Sequence, residues 1–225
     1  MPLHLALGYG HVDLAQMLVE HGANMSAQKK DRSTALHLAS RYGHADLTRM
    51  LVERGADVSA QDEDGSTGLH LALGYGHADL AQMLVEHGAD VSAQKKDGST
   101  VLHLTSRYGH ADLAQMLVER SADMSAQDED GSTVLHLALG YGHVDLAWML
   151  VECGADMSAQ DEDGSTALHL ALGYGHADLT QMLVERGADM SAQKKDRSTA
   201  LHLTSRYGHV DLARMLVEHG TNMAP

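Results

Sequence analysis

Residues 163–195 read DGSTALHLALGYGHADLTQMLVERGADMSAQKK, and this 33-residue pattern recurs along the whole chain without an insertion. The seven copies occupy residues 1–30, 31–63, 64–96, 97–129, 130–162, 163–195 and 196–225, the first and last being three residues short. A period of this length is typical of stacked supersecondary units that bury their apolar faces against their neighbours. We therefore expect a single repeat domain over residues 1–225.

The apolar spacing within one copy predicts two short helices followed by a turn. In the second copy, Thr34 is placed to cap a first helix, which Gly43 ends. Apolar residues then recur at i, i+3 and i+4, which indicates an amphipathic second helix. Gly55 stands where a left-handed C-cap belongs, and the small and polar residues 56–64 suit a turn.

These motifs resemble those of the ankyrin-repeat family over essentially all 225 residues, through DG-ST-x-LHLA, the GH between the helices and the closing GAD-V/M-S-A. The family's Pro before Leu-His survives only at Pro2. The resemblance implies an all-α fold, an α-solenoid of stacked helix-turn-helix units with protruding β-hairpin loops. It also implies protein binding through the concave face and the hairpin tips, without catalysis.

Histidine is abundant, with 17 residues, but its positions indicate a structural role. Fourteen fill two places in each copy, after Leu and after the Gly between the helices: His4, His37, His70, His103, His136, His169 and His202; His11, His44, His77, His110, His143, His176 and His209. The resembling family uses these places to bond the loop and the neighbouring unit. Because no metal-binding spacing or nucleotide fingerprint occurs, we expect no metal, no cofactor and no enzyme.

The bulk composition narrows the partner class. A net charge of −15 argues against a nucleic-acid groove, which needs a basic stripe to neutralise phosphates. No apolar run approaches the length of a membrane span, so we expect no membrane contact. The lone Cys153 suits a reducing compartment. We expect an unknown protein as the partner and a cytoplasmic location, with the nucleus as the alternative.

Variation among the copies predicts where a partner binds. The last two residues of each of the first six copies, which we call the tip, are Lys-Lys at 29–30, 95–96 and 194–195 and Asp-Glu at 62–63, 128–129 and 161–162. After a Lys-Lys tip, the first helix of the next copy ends in Ser-Arg-Tyr; after an Asp-Glu tip, it ends in Leu-Gly-Tyr. The charged candidates are Lys30, Lys96, Lys195, Glu63, Glu129, Glu162, Arg41, Arg107 and Arg206. Either neighbouring tips merely neutralise each other, at about 0–1 kcal/mol per exposed pair, or they select a partner. In the second case, Lys96 with Arg107 makes a basic patch, and Asp128–Glu162 favours basic partner residues.

Aromatic residues supply the remaining candidates. A Tyr stands in the last turn of every predicted first helix, and the central five are Tyr42, Tyr75, Tyr108, Tyr141 and Tyr174. Tyrosine combines a large contact area with a small loss of entropy, as in binding hot spots. The alternative is that each ring packs on the adjacent repeat. Trp148 replaces Gln or Arg, so we expect an exposed ring that is either an anchor or the result of drift.

Departures from the pattern predict weak points. Arg32, Arg197 and Ser121 replace glycines, each at a cost of about 1 kcal/mol if the backbone φ is positive there. Terminal repeats usually carry polar caps, yet Leu212 and Leu216 keep the core pattern. The alternative function is therefore a fragment of a longer array, or a module that associates end to end.

Overall fold

A computed structural model describes residues 1–220, so the last five positions of the seventh copy lie outside the described residues. Each copy contributes two α-helices: α1 Pro2–Gly8, α2 Val12–Glu20, α3 Ala35–Arg41, α4 Ala45–Glu53, α5 Gly68–Gly74, α6 Ala78–Glu86, α7 Val101–Tyr108, α8 Ala111–Glu119, α9 Val134–Gly140, α10 Val144–Glu152, α11 Ala167–Gly173, α12 Ala177–Glu185, α13 Ala200–Tyr207 and α14 Val210–Glu218. The predicted all-α fold class is confirmed.

The predicted caps of the first helices are also confirmed. Thr34 is extended and precedes α3, and its backbone N–H donates to Nδ1 of His37 at 3.2 Å. Since Nδ1 accepts, the proton lies on Nε2, which donates to the backbone oxygen of Ser66 in the next copy at 3.0 Å. One histidine thus caps its own helix and bonds the following repeat.

Left-handed residues end the helices and shape the turns. Gly43 and Gly55 have φ values of 71° and 85°, as their positions predicted. Arg32, Ser121 and Arg197 have φ values of 62°, 64° and 66° without being glycine. The positive φ that the sequence predicted at these three positions is therefore confirmed, and its cost of about 1 kcal/mol each stays a prediction.

The chain divides into two compact units, residues 1–104 and the residues from 105 onward. In the first unit, α3 packs against α1 and α5, while α2 packs against α4. In the second unit, α11 packs against α9 and α13, and α10 against α8. Small and aliphatic side chains fill both cores; Leu69 and Leu135, for example, are almost completely buried. Such a core leaves the polar ends of the helices and the turns available for other contacts.

The hairpin loops are tight turns rather than extended ribbons. The Lys29 N–H donates to Ser33 O at 2.9 Å and closes the first turn. Consecutive turns are joined through the backbone, as in the bond from Glu63 N–H to Asp31 O at 2.9 Å. Over residues 1–220, the pairing typical of strands is limited to an isolated bridge between Gln94 and Thr100. The tips are therefore ordered by turn chemistry.

Candidate partner-binding surface

The tyrosines at the ends of the first helices are exposed. Their exposed fractions are 48% for Tyr42, 56% for Tyr75, 46% for Tyr108, 55% for Tyr141 and 58% for Tyr174. None of these five hydroxyls hydrogen-bonds to another residue that the structure describes. We call these five residues the tyrosine set. The fold leaves about half of each side chain, and its hydroxyl, free for a partner.

Two members of the tyrosine set carry an arginine from the preceding copy. The guanidinium carbon of Arg41 lies 5.5 Å from the ring centroid of Tyr75, and that of Arg107 lies 5.7 Å from the ring of Tyr141. A guanidinium at this distance is attracted by the negative face of the ring. The sequence identified all four residues as candidates but did not predict that they pair.

The backbone oxygen of each of these arginines accepts a hydrogen bond from a histidine of the next copy. Nε2 of His77 lies 3.2 Å from the backbone oxygen of Arg41, and Nε2 of His143 lies 3.0 Å from that of Arg107. Because a carbonyl oxygen only accepts, Nε2–H is the donor. A Cβ at Gly43 would lie 2.6 Å from the His77 ring, so this approach requires glycine.

The corresponding histidines of four other copies lie beside their own tyrosines, and His209 also approaches Gly175 of the preceding copy. Ring centroids are 6.1 Å apart in Tyr42–His44, 6.4 Å in Tyr108–His110, 6.1 Å in Tyr174–His176 and 6.1 Å in Tyr207–His209. In each of these four cases, the first helix of the preceding copy ends in Leu-Gly-Tyr. Before His77 and His143, the first helix of the preceding copy ends in Ser-Arg-Tyr. The residue before one tyrosine thus correlates with the orientation of the next histidine. The covariation was visible in the sequence, but its structural result was not.

At the acidic tips, the first carboxylate belongs to the turn. Asp62 is buried, and its Oδ1 accepts from the backbone N–H groups of Asp64 at 3.0 Å and Ser66 at 2.9 Å. Asp128 and Asp161 make the same bonds in their tips. The exposed acids are therefore the second members, the predicted candidates Glu63, Glu129 and Glu162.

At the basic tips, a different aspartate caps the turn. Oδ1 of Asp31 accepts from the backbone N–H of Ser33, while Oδ2 pairs with Nζ of Lys29 at 3.0 Å. Burial opposes the charge of Asp31, but bonds from Lys29 and Ser33 outweigh it and lower its pKa to about 2. Asp97 repeats the arrangement with Lys95 at 2.7 Å. The second lysines remain exposed, at Lys30, Lys96 and Lys195.

Neighbouring tips do not neutralise each other through direct ion pairs. Within the described part of the chain, no ion pair shorter than 4.0 Å joins one tip to the next. In the first unit, Lys29, Lys30, Asp31 and Glu63 instead line an open groove of about 440 Å³. The basic patch expected from Lys96 with Arg107 stays a prediction.

Two candidates lie in other environments. Arg206 has Nη2 at 3.8 Å from Oδ2 of Asp196, within its own copy. Trp148 lies on α10 and is half-buried, so its ring is less exposed than the sequence predicted. It follows the fully buried Ala147 at the margin of the packed face of the helix, where part of a large ring is covered.

Six of the seven histidines that follow Leu are buried and structural, whereas His202 in the last copy is exposed. Burial, and then the charge of Lys95, lower the pKa of His70 to about 4. Burial also lowers the pKa values of His37 and His169. Among residues 1–220, no group of three or more His, Cys, Asp or Glu side chains could hold a metal ion. His37, His70 and His169 therefore contribute to folding at neutral pH as uncharged rings.

Comparison with protein families identifies the repeat. A family model described as ankyrin repeats (3 copies) matches residues 1–62, 69–161 and 135–224, and a second, ankyrin repeats (many copies), matches residues 41–85. No match was found among curated proteins. Across the described helices, none combines the length and the apolar character that crossing a membrane requires.

Proposed function

Because the chain belongs to the ankyrin-repeat family, we propose that it is a non-enzymatic scaffold that binds a partner protein along the concave face of its helices and at its hairpin tips. Ankyrin repeats are generally protein–protein interaction modules. The observation that carries the proposal is the exposure of the tyrosine set, whose hydroxyls the fold leaves unbonded. Half-exposed tyrosines contribute contact area to interfaces at a low entropy cost.

The charged tips give this surface its selectivity. Turn bonds hold Asp128 and Asp161 inside their tips, so Glu129 and Glu162 are the acids that a partner meets. This part of the second unit would favour a partner segment with basic residues. The exposed lysines of the other tips would favour acidic residues. Trp148 would add a partly exposed aromatic contact on α10.

Partner recovery with matched variants tests the scaffold. We would compare Tyr108→Ala and Tyr141→Ala with Gln115→Ala, an exposed residue of α8. Partners recovered by the unaltered protein should be lost from both tyrosine variants and kept by the glutamine variant. Equal recovery with all three variants would remove the support for binding at the tyrosine set.

We also propose a protein rather than a nucleic acid as the partner, since acidic tips interrupt the basic ones. The proposed location is the cytoplasm, with the nucleus as the alternative, because the exposed Cys153 is free. A fluorescent fusion imaged in cells tests the location.

End-to-end association is a second candidate, favoured by exposed apolar residues on the first copy. Leu5 and Leu14 are 58% and 42% exposed, whereas their counterparts Leu38 and Leu47 are 4% and 2% exposed. A second molecule could cover these side chains as the preceding copy does inside the chain. The mass measured by light scattering should then rise with concentration, and Leu14→Glu should abolish the rise. A constant monomer mass would refute this association.

A further inference from the structure

We propose that Arg41 on Tyr75, and Arg107 on Tyr141, are two carboxylate-binding sites, each of which takes an Asp or Glu side chain from an acidic segment of the partner. This inference rests on the proposed scaffold function and names the chemistry that part of its surface recognises. The two sites are separate, one in each compact unit.

Both guanidinium groups are oriented by an exposed aromatic ring. The distances from Arg41 to the ring of Tyr75 and from Arg107 to the ring of Tyr141 are 5.5 and 5.7 Å, so the same arrangement occurs twice. More than half of each tyrosine is exposed, at 56% and 55%. A guanidinium is a rigid planar fork that matches a carboxylate through two parallel hydrogen bonds. The stacked arginine is therefore positioned before the ligand arrives.

Neither guanidinium has a carboxylate partner within the described part of the chain. No Asp or Glu oxygen lies within 4.0 Å of Arg41 or Arg107, and the Nε atom of each is buried without a hydrogen-bond partner. This is notable in a chain whose net charge is −15. An unbonded buried donor lowers stability. Because Nε is buried, a carboxylate would bind each guanidinium through its Nη atoms.

The basic tips explain why the local aspartates are not used. Lys29 pairs with Asp31 at 3.0 Å, and Lys95 pairs with Asp97 at 2.7 Å. In the last copy, Arg206 reaches Asp196 at 3.8 Å, and no lysine pairs with that aspartate at a shorter distance. Lys29 and Lys95, the first lysines of the other two basic tips, thus occupy the acid that the arginine would otherwise meet.

The histidine that bonds to the backbone of each arginine reduces the entropy that the site loses when it binds a ligand. His77 and His143 donate to the backbone oxygens of Arg41 and Arg107 at 3.2 and 3.0 Å. These bonds tie the end of one first helix to the next copy. Binding to a group that is already fixed avoids part of the entropy loss that association normally brings.

A carboxylate fits these sites better than a phosphate does. Each site offers one guanidinium, and the surrounding chain is strongly acidic. Repulsion by that field grows with the charge of the ligand, so a phosphate dianion is opposed more than a carboxylate monoanion. A single planar fork is also sufficient for a single carboxylate.

The test follows the Nε–Hε resonances of the arginine side chains in the intact 15N-labelled chain. The probe is an N-acetylated, C-amidated pentapeptide, Gly-Glu-Leu-Glu-Gly, and its control has Gln in place of Glu. The Glu peptide should shift the Arg41 and Arg107 resonances with saturation, while the exposed Arg49 does not shift. Tyr75→Leu should weaken binding at Arg41 about threefold to tenfold and leave Arg107 unaffected.

Three results would overturn the inference: equal shifts with the Gln peptide, equal shifts at Arg49, or tighter binding of the same peptide with phosphoserine in place of Glu. The outcome for the scaffold proposal can be distinguished from the outcome for the carboxylate sites. If Tyr108→Ala and Tyr141→Ala lose the partner while the Glu peptide shifts neither arginine, the scaffold stands and the carboxylate sites do not. A thermal melt of Tyr75→Leu checks that the exposed substitution keeps the fold.

Discussion

Nε2–H of His77 donates to the backbone oxygen of Arg41, one copy earlier, at 3.2 Å. His77 also precedes α6 as its N-cap residue, so a single side chain joins the start of one second helix to the end of the previous first helix. In copies that follow Leu-Gly-Tyr, the equivalent ring lies beside its own tyrosine. The position of this histidine ring thus correlates with the sequence of the preceding copy.

Gly140→Arg should give the contact between the fifth and sixth copies the arrangement seen after Ser-Arg-Tyr, with an arginine over the next tyrosine. A Cβ at Gly140 meets no atom within 4 Å, so the new side chain can extend over Tyr174, and His176 should turn away from that ring. The helix should gain about 1 kcal/mol because glycine is a poor helix former. The NMR chemical shifts of the His176 ring report whether it has moved away from Tyr174. Gly140→Ala should give the helix gain alone; identical His176 shifts in both variants would contradict the prediction.

Acid should destabilise the repeats between about pH 6.5 and pH 4. His70 has a folded pKa of about 4, below the unfolded value of 6.5, so the unfolded chain binds more protons in this window. Stability from this residue is complete above pH 6.5, and its loss as the pH falls towards 4 amounts to about 3 kcal/mol. Lowered pKa values at His37 and His169 act in the same direction.

Urea unfolding at pH 7 and pH 5 measures this loss through the midpoint concentration. Gln115→Ala provides the control, since it removes no titratable group from this exposed position and should leave the pH dependence unchanged. A midpoint that is the same at both pH values would show that the buried histidines do not control acid stability.

Ser121→Gly should stabilise the fourth copy. Ser121 has a φ of 64°, a conformation that glycine adopts without the steric cost of a Cβ, and the expected gain is about 1 kcal/mol. The reverse change, Gly154→Ser, tests the equivalent position, where φ is 90° and no neighbouring atom would clash. Thermal melts should move in opposite directions. A parallel shift of the two melting temperatures would rule out backbone strain as the cause.

Asp62→Ala should destabilise its turn by about 1–3 kcal/mol, because two backbone N–H donors would lose a charged acceptor. Glu63→Ala, at the next position, removes an exposed charge and should change stability little. Chemical denaturation of both variants gives the comparison. Equal losses would mean that the two acids of the tip have the same role.

The sequence predicted the helix pairs and the Thr34 cap because these depend on local spacing and chemistry. It also predicted the positive φ at Ser121, where aligned copies have glycine. The pairing of Arg41 with Tyr75 could not be predicted, since it depends on how one helix end approaches the next copy. The burial of Asp62 could not be predicted either, because it follows from the geometry of the turn.

The dependence of each histidine on the preceding copy has an evolutionary consequence. Recombination between such similar segments can delete a whole copy without disturbing the 33-residue frame. Loss of residues 64–96 would bring Arg41 directly before the copy that contains Tyr108 and His110, and so create a junction that the parent chain lacks. A change in gene length would then be inherited together with a change in binding surface.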